Sequence, residues 1–346
     1  MENQKNKVFL KSYDKLMEYL TTQHHIQCQE NNLIDLRNIG YYHGYKGYRY
    51  VLKKYSAENY LINFSNFSQL KSIYDFDSRL KEILYPRIMF IEMALKNRIL
   101  ETICSVSESP NIEDVCNALF FQAKSGKNIS NKDKQKDQAK KQIDAVRSIY
   151  NKIYNNINSE EVISHYYSEN NPLPIWAVFE LLSLGEISKI VNFANDSFKG
   201  DVDKNMGFFN ESEYPRQDNC LTNQVINIIK PLRDALSHNR VVFDLRFRQG
   251  HNNKDSDSIV DKVLVSIKCE RNAKNQYNIV DYILFISYIR YVLDKNKVES
   301  KQLIADFEKV TRSFVTGPLK NEITVMNLIF GEDYVQRVKQ AKFFYK

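Results

Sequence analysis

The chain has 346 residues, 43% of them hydrophobic and 26% charged, with a formal net charge of +7. That length holds one large domain or two ordinary ones, and the composition is that of a soluble globular protein. Ten glycines and seven prolines are too few turn residues for a many-stranded β fold, and they favour long helices. The five cysteines (Cys28, Cys104, Cys116, Cys220, Cys269) are scattered without a CxxC pair, which excludes a disulfide framework and a zinc ribbon. The polar N-terminal stretch has no signal-like apolar region, and no apolar run approaches the roughly 18 residues of a membrane span. The expectation is a cytoplasmic protein with no membrane partner, no cofactor and no bound metal, whose basic balance points to a polyanion.

In chain order, the first helical rhythm runs over residues 8–20, through Phe9, Leu10, Tyr13, Leu16 and Leu20. Leu36–Leu52 is dense in tyrosine and punctuated by Gly40, Gly44 and Gly47, which predicts a tight helix–turn–helix corner. A long helical stretch follows from about Ser65 to Val106, with Pro86 expected to kink or divide it. Residues 124–141 carry seven lysines and almost nothing apolar. They read as a solvated basic loop leading into a helix, or as a flap that contacts phosphates.

Pro172 and Pro174 then precede a predicted apolar helix, Ile175–Phe193, whose Trp176 reads as a core anchor. The next helix spans about Leu221–Asn239 and contains Pro231. Val241–Phe247 and Val263–Cys269 read as strands of a small hairpin, with Gly250–Ser258 as its loop. Helices are expected at about 277–294, 299–313 and 319–343. The fold class is therefore mainly all-α with a small β-hairpin insertion near 241–269. The domains expected are a helical one over 1–245 and a hairpin-plus-helix extension, 246–346, packed on it.

An Arg and a His a few residues apart can cleave RNA without a metal. Histidine titrates near neutral pH and can move a proton to or from the 2′-hydroxyl or the leaving 5′-oxygen. Arginine stays cationic and grips phosphate with paired N–H donors. Chance predicts about one such pair in a chain of this composition, yet three are present: Arg37–His43, Arg233–His238 and Arg246–His251. His43 falls in the glycine–tyrosine corner, where it reads as packed or capping. Arg246–His251 runs from a predicted strand into a polar loop.

Arg233–His238 sits on an amphipathic helix, with Val225, Ile228, Ile229, Leu232 and Leu236 on one side and Ile226 as the exception. Arg233 and His238 lie off that stripe, about 140° apart. Asp234, four residues before His238, is expected to orient the imidazole. Lys230 and Arg240 extend the cationic face, and Lys134, Lys136, Lys140 and Lys141 are further candidates for RNA contact. Because one helix does not easily bring both groups onto one phosphate, a kink at Pro231 or a second copy of the motif in a homodimer would complete the site. The alternative is an exposed helix face whose Arg, Asp and His pair among themselves.

Five blocks occur in an order found in a known family. IGYYHGYKGY (Ile39–Tyr48) is similar to its "YYRLSGY" block, YDFDSRLK (Tyr74–Lys81) to "YEFDRKLR" and IEMALKNRI (Ile91–Ile99) to "IEVALRTRI". The stretch from His165 to Lys189 is similar to "HY...P.PIWMALEVLSFGTLSK", and LRDALSHNR (Leu232–Arg240) to "LRNxCAHHxR". On these motifs the chain resembles the Abi-like proteins, of AbiD/AbiF type, of bacterial abortive infection against phage. The resemblance implies a HEPN domain, the helical nuclease domain also found in RNA-targeting CRISPR effectors.

It further implies that Arg233 and His238 are catalytic with Asp234 in support, that the chain dimerises, and that a small structured RNA or another antitoxin restrains a toxin-like ribonuclease. RNA is the expected partner, and DNA is not. Asn239 stands where the family usually has a second histidine, and residues after about 250 match no block. Within the third block, Glu92 and Arg98 read as a structural pair beside the site, and His165 in the fourth reads as structural. The competing function is an RNA-binding module that uses the same basic face without cutting.

Overall fold

The computed structural model describes residues 12–51, 60–121, 132–208, 220–245, 254–270 and 277–346. It is mainly helical, with one small antiparallel strand pair among those residues. Helix α1 (Tyr13–His24) starts at the Ser12 cap and stops where His25 turns left-handed. Helix α2 (Asn32–Ile39) ends at Gly40, whose φ of 77° suits glycine. A π-helical turn, Tyr41–Tyr45, leads into the short α3 (Lys46–Tyr48). A β-carbon on Gly44 would lie 2.0 Å from Ile39 Cγ2, so only glycine fits inside this corner. Strands β1 (Tyr50–Val51) and β2 (Tyr60–Leu61) pair with Tyr50 opposite Leu61.

Helix α4 (Phe67–Ser107) is 41 residues long and continues through Pro86. The expected division does not occur. Proline removes the hydrogen bond to the carbonyl of Glu82, and Glu82 is exposed, so that its carbonyl is open to solvent. The apolar stripe meanwhile continues buried on both sides, through Leu80, Leu84, Ile88 and Ile91. Next come α5 (Ile112–Cys116), a second π-helical turn (Asn117–Phe121) and α6 (Lys132–Asn156). Residues 132–141 of the supposed basic loop are therefore the first turns of α6, and the rest of it, 124–131, lies outside the described residues.

Helices α7 (Glu161–Ser168), α8 (Ile175–Phe179), α9 (Leu184–Phe193) and α10 (Asp196–Met206) follow. The single helix expected over Ile175–Phe193 is two, because Ser183 and Glu186 form a capping box that starts α9 afresh. Trp176 is no core anchor. It is 43% exposed and meets Tyr166 edge-on at 6.0 Å, while Ile175, Val178 and Phe179 occupy the inward face of α8. Helix α11 (Leu221–Ser237) runs through Pro231. The remainder is α12 (Lys254–Ser266), α13 (Ile279–Asp294), α14 (Lys297–Val315), α15 (Ile323–Phe330) and α16 (Tyr334–Phe344). Gly331, at φ 81°, separates the last two, so the helix expected over 319–343 is also two.

The small β-hairpin is present, but among the described residues it does not lie near 241–269. Residues 241–245 are turn and coil, and 254–266 is α12. The strand pair lies at Tyr50–Leu61 instead, with 246–253 outside the described residues. Val263, Leu264 and Ile267 are buried at helical spacing, and the chain leaves α12 through a left-handed Lys268. Of Val241–Phe247, the residues Val242 to Leu245 are buried in succession, without the alternation of a half-buried strand.

The chain divides into two compact units. One comprises Met1–Tyr85, Ala235–Ser287 and Lys297–Lys346, and the other Pro86–Asp234 and Tyr288–Asn296. The first thus draws on residues from both sides of position 245. Its core stacks Phe76 on Phe314 at 4.4 Å and sets Phe330 edge-on to Phe76 at 5.4 Å. A buried Asp281–Arg337 ion pair joins α13 to α16. In the second unit α6 and α9 pack together, Arg98 donates to the Leu293 carbonyl at 2.7 Å, and Ser188 donates to Asn223 at 2.6 Å.

Candidate functional site

Helix α11 begins on a borrowed cap. The Asp203 carboxylate accepts from the backbone N–H groups of Leu221 and Thr222 at 2.9 and 2.8 Å, and from the Thr222 hydroxyl at 2.7 Å. These satisfy donors that no helix supplies for itself. The helix then buries Val225, Ile228, Ile229, Leu232 and Leu236 as expected, and Ile226 as well. Lys230, Arg233 and Asp234 occupy its less buried side.

Arg233 is held in a fork. Its Nε donates to Glu92 Oε2 at 2.8 Å and its Nη2 to Glu92 Oε1 at 3.3 Å. A third bond runs from Nη1 to Asp234 Oδ1 at 3.3 Å. Of five guanidinium N–H groups, two remain for an incoming oxygen. The Glu92 side chain is 8% exposed and that of Arg233 26%. Glu92's hydrogen bonds hold Arg233 above its ordinary pKa against the opposing effect of burial, with a smaller contribution from Asp234. Lys96 adds a second cation, 3.7 Å from Glu92 Oε1, and its Nζ donates to the Glu180 carbonyl at 3.4 Å.

The pairing of Glu92 with Arg98 is therefore corrected. Glu92 binds Arg233, and Arg98 serves backbone carbonyls at Asn205, Met206 and Leu293. Residues six apart on one helix lie well around its axis from each other, so Glu92 and Arg98 face different neighbours. Asp234 is also employed otherwise than expected. Its two oxygens lie 3.3 Å from Arg233 Nη1 and 3.3 Å from Lys230 Nζ, and α11 ends at Ser237, before helical spacing reaches His238.

His238 is exposed and occupies the cap of α11. Asn239 follows with φ 49°, donating from its backbone to the Leu236 carbonyl at 3.3 Å, while the Arg240 N–H reaches Ala235 at 2.8 Å. This crossed pair of bonds closes the helix C-terminus, and asparagine tolerates the left-handed conformation it needs. Asn239 thus shapes the turn that presents His238. Its side-chain oxygen accepts from Lys81 Nζ at 2.9 Å. Arg240 is exposed beside it.

The chain beyond the turn is fixed by Asp77, a fully buried carboxylate. Asp77 Oδ1 accepts the backbone N–H groups of Val242 and Phe243 at 2.7 Å each. Its Oδ2 accepts the Tyr48 hydroxyl at 2.7 Å and lies 2.8 Å from Lys81 Nζ. Val242 and Phe243 are buried by this anchor, not by a strand partner. Tyr48 is pushed far above the usual tyrosine pKa, first by burial and then by Asp77.

The other sequence candidates are dispersed. Lys136, Lys140 and Lys141 are exposed near the start of α6, where Lys141 pairs with Asp137 at 3.1 Å. Lys134 lies on the same turns, its side chain outside the described residues. His43 is exposed, not packed, within the π-helical turn, and Arg37 lies 4.0 Å from Asp14. Arg246 and His251 fall outside the described residues. His165 is exposed on α7, its ring 5.9 Å from that of Tyr166. Among the described residues no group of three or more His, Cys, Asp or Glu side chains is placed to hold a metal ion, and no helix is long and apolar enough to cross a membrane.

The blocks singled out in the sequence thus converge within each unit. Tyr48, Asp77, Lys81 and Asn239 meet in one, and Glu92, Lys96, Glu180 and Arg233 in the other. The profile of a family described as Abi-like protein matches residues 35–244, which takes in all of them. The chain belongs to the Abi-like protein family. Membership suggests a part in abortive-infection defence. Neither curated proteins nor solved structures yield a match.

Proposed function

We propose that this Abi-like protein is a metal-independent endoribonuclease of anti-phage defence, with Arg233 and His238 as its catalytic residues. The observation that carries the reading is the arrangement of α11. A guanidinium is held rigidly in place by Glu92 with two donors left over, and an exposed imidazole follows on a capped turn. Such an Arg stabilises the charge that develops on a phosphate as the 2′-hydroxyl attacks, and such a His moves the proton. The attack breaks the bond to the 5′-oxygen and leaves a 2′,3′-cyclic phosphate. Asp234 supports Arg233, and Lys230 and Arg240 flank them as phosphate contacts.

In this reading the domain is of HEPN type, works as a homodimer that places two Arg–His motifs together, and is restrained by a small structured RNA until infection. The second reading is an RNA-binding defence module without cleavage. It is favoured by one observation: Arg233 is neutralised by Glu92 and Asp234, as in an ordinary structural ion pair. Expression of the wild type, Arg233→Ala and His238→Ala in a bacterial host separates the two. Growth arrest by the wild type alone, at equal protein levels, supports the nuclease. Equal toxicity of the His238→Ala protein removes it.

A further inference from the structure

Helix α6 carries an exposed stripe of cations and apolar side chains. Ala145, Ile149 and Ile153 are buried, and that side is fastened to α9 by Lys189–Asp144 at 3.1 Å and Lys152–Glu186 at 3.4 Å. On the other side Lys136, Lys140, Ile143, Arg147, Tyr150 and Tyr154 are all exposed. Their spacing of four, three, four, three and four residues keeps them within about 80° around the axis, along about 27 Å of helix. Tyr154 is 81% exposed and Ile143 59%.

From this face we infer a track for single-stranded RNA, in which Tyr150 and Tyr154 stack bases while Lys136, Lys140 and Arg147 contact phosphates. The inference rests on the ribonuclease reading for the choice of RNA over DNA. A stripe whose cations lead into a pair of aromatic rings suits a single strand, because every base has a stacking face and every linkage a charge. The two tyrosines rise about 6 Å apart along the helix. Over its whole length α6 holds seven Lys and Arg against three Asp. Arg147 shares Asp144 with Lys189, whereas Lys136 and Lys140 have no ion pair among the described residues. The same spacing would also serve a helix–helix seam with a second copy of the chain. Three cations among six positions, and only one aliphatic residue, argue against that.

The test uses the full chain carrying Arg233→Ala, so that bound RNA is not cut, and a fluorescent uridine oligonucleotide of about twenty nucleotides. Tyr150→Ala with Tyr154→Ala should weaken binding at least tenfold and leave its salt dependence nearly unchanged. Lys136→Glu with Lys140→Glu should weaken binding and lower the slope of log affinity against log salt by about 1.4. Circular dichroism and the elution volume should stay those of the parent. Binding as tight as the parent's in both variants overturns the proposal. So does a change in self-association with RNA affinity unaltered, which would make the stripe a dimer seam. Cleavage is measured separately on chains that keep Arg233. RNA bound through the stripe with no cleavage would remove the nuclease reading alone, and cleavage with stripe-independent binding would remove the track alone.

Discussion

Glu92 receives two N–H groups of Arg233, Nε at 2.8 Å and Nη2 at 3.3 Å, and so joins the third family block to the last. The pair fixes the guanidinium without exhausting it. Replacing Glu92 by Gln would leave Arg233 and Lys96 facing a neutral group in a largely buried setting. The expected loss is about 2–3 kcal/mol, below the usual cost of a broken buried pair because Arg233 keeps some solvent contact. Urea unfolding of Glu92→Gln, Arg233→Met and the double variant reads the coupling directly. Additive losses would show that the pair contributes nothing of its own.

Asp77 does the same work for the turn after α11. Asn at this position keeps one accepting oxygen but cannot hold two backbone N–H groups, the Tyr48 hydroxyl and Lys81 together. Asp77→Asn should destabilise by about 3 kcal/mol. Hydrogen exchange at Val242 and Phe243 should rise more than at the buried positions of α13. Unchanged protection there would contradict the anchoring role.

Tyr48 makes the fold sensitive to alkali. Its folded pKa lies above its unfolded value of about 10, so its contribution is complete below that pH and is lost as pH rises beyond it. Tyr41, pushed up to about 12 chiefly by burial, acts in the same direction. The stability gap between wild type and Tyr48→Phe should be widest near pH 8 and shrink above pH 10. A gap that does not change with pH would show that the hydroxyl is not held as described.

Cysteine reactivity should divide the five thiols. Burial pushes Cys116 up to about 11 and Cys269 up to about 12, and lifts Cys220 higher still. Iodoacetamide at pH 8 should modify the half-buried Cys28 and Cys104 first and reach the other three only on unfolding. Mass spectrometry of the native protein checks this, and early labelling of Cys116 would contradict it.

Much of this is legible in the sequence. The apolar stripe of α11 predicted which residues are buried, and the Arg, Asp and His lie on its more exposed side or at its end. The SxxE pattern at Ser183–Glu186 was also present in the sequence, and it marks the break that divides the expected helix before α9. What could not be read were the partners. Nothing in spacing says that Glu92 reaches 141 positions along the chain to Arg233. Asp77's hold on the backbone of Val242 and Phe243 is likewise a contact between distant parts of the chain, with no local signal. Trp176 misled because a tryptophan beside an apolar run invites a core assignment, whereas the i, i+3, i+4 face of α8 belongs to Ile175, Val178 and Phe179. Asn239 looked like a missing histidine and proves to be the left-handed residue that closes the helix.

The most direct test is cleavage of single-stranded RNA by purified protein in the presence of a chelator, comparing wild type with His238→Ala. His238 is exposed, so its loss should cost no more than about 0.5 kcal/mol of stability. The account predicts that wild type leaves 2′,3′-cyclic phosphate ends and that His238→Ala is slower by about 10²–10⁴-fold. Equal cleavage by both proteins, or RNA bound by both and cut by neither, would contradict it.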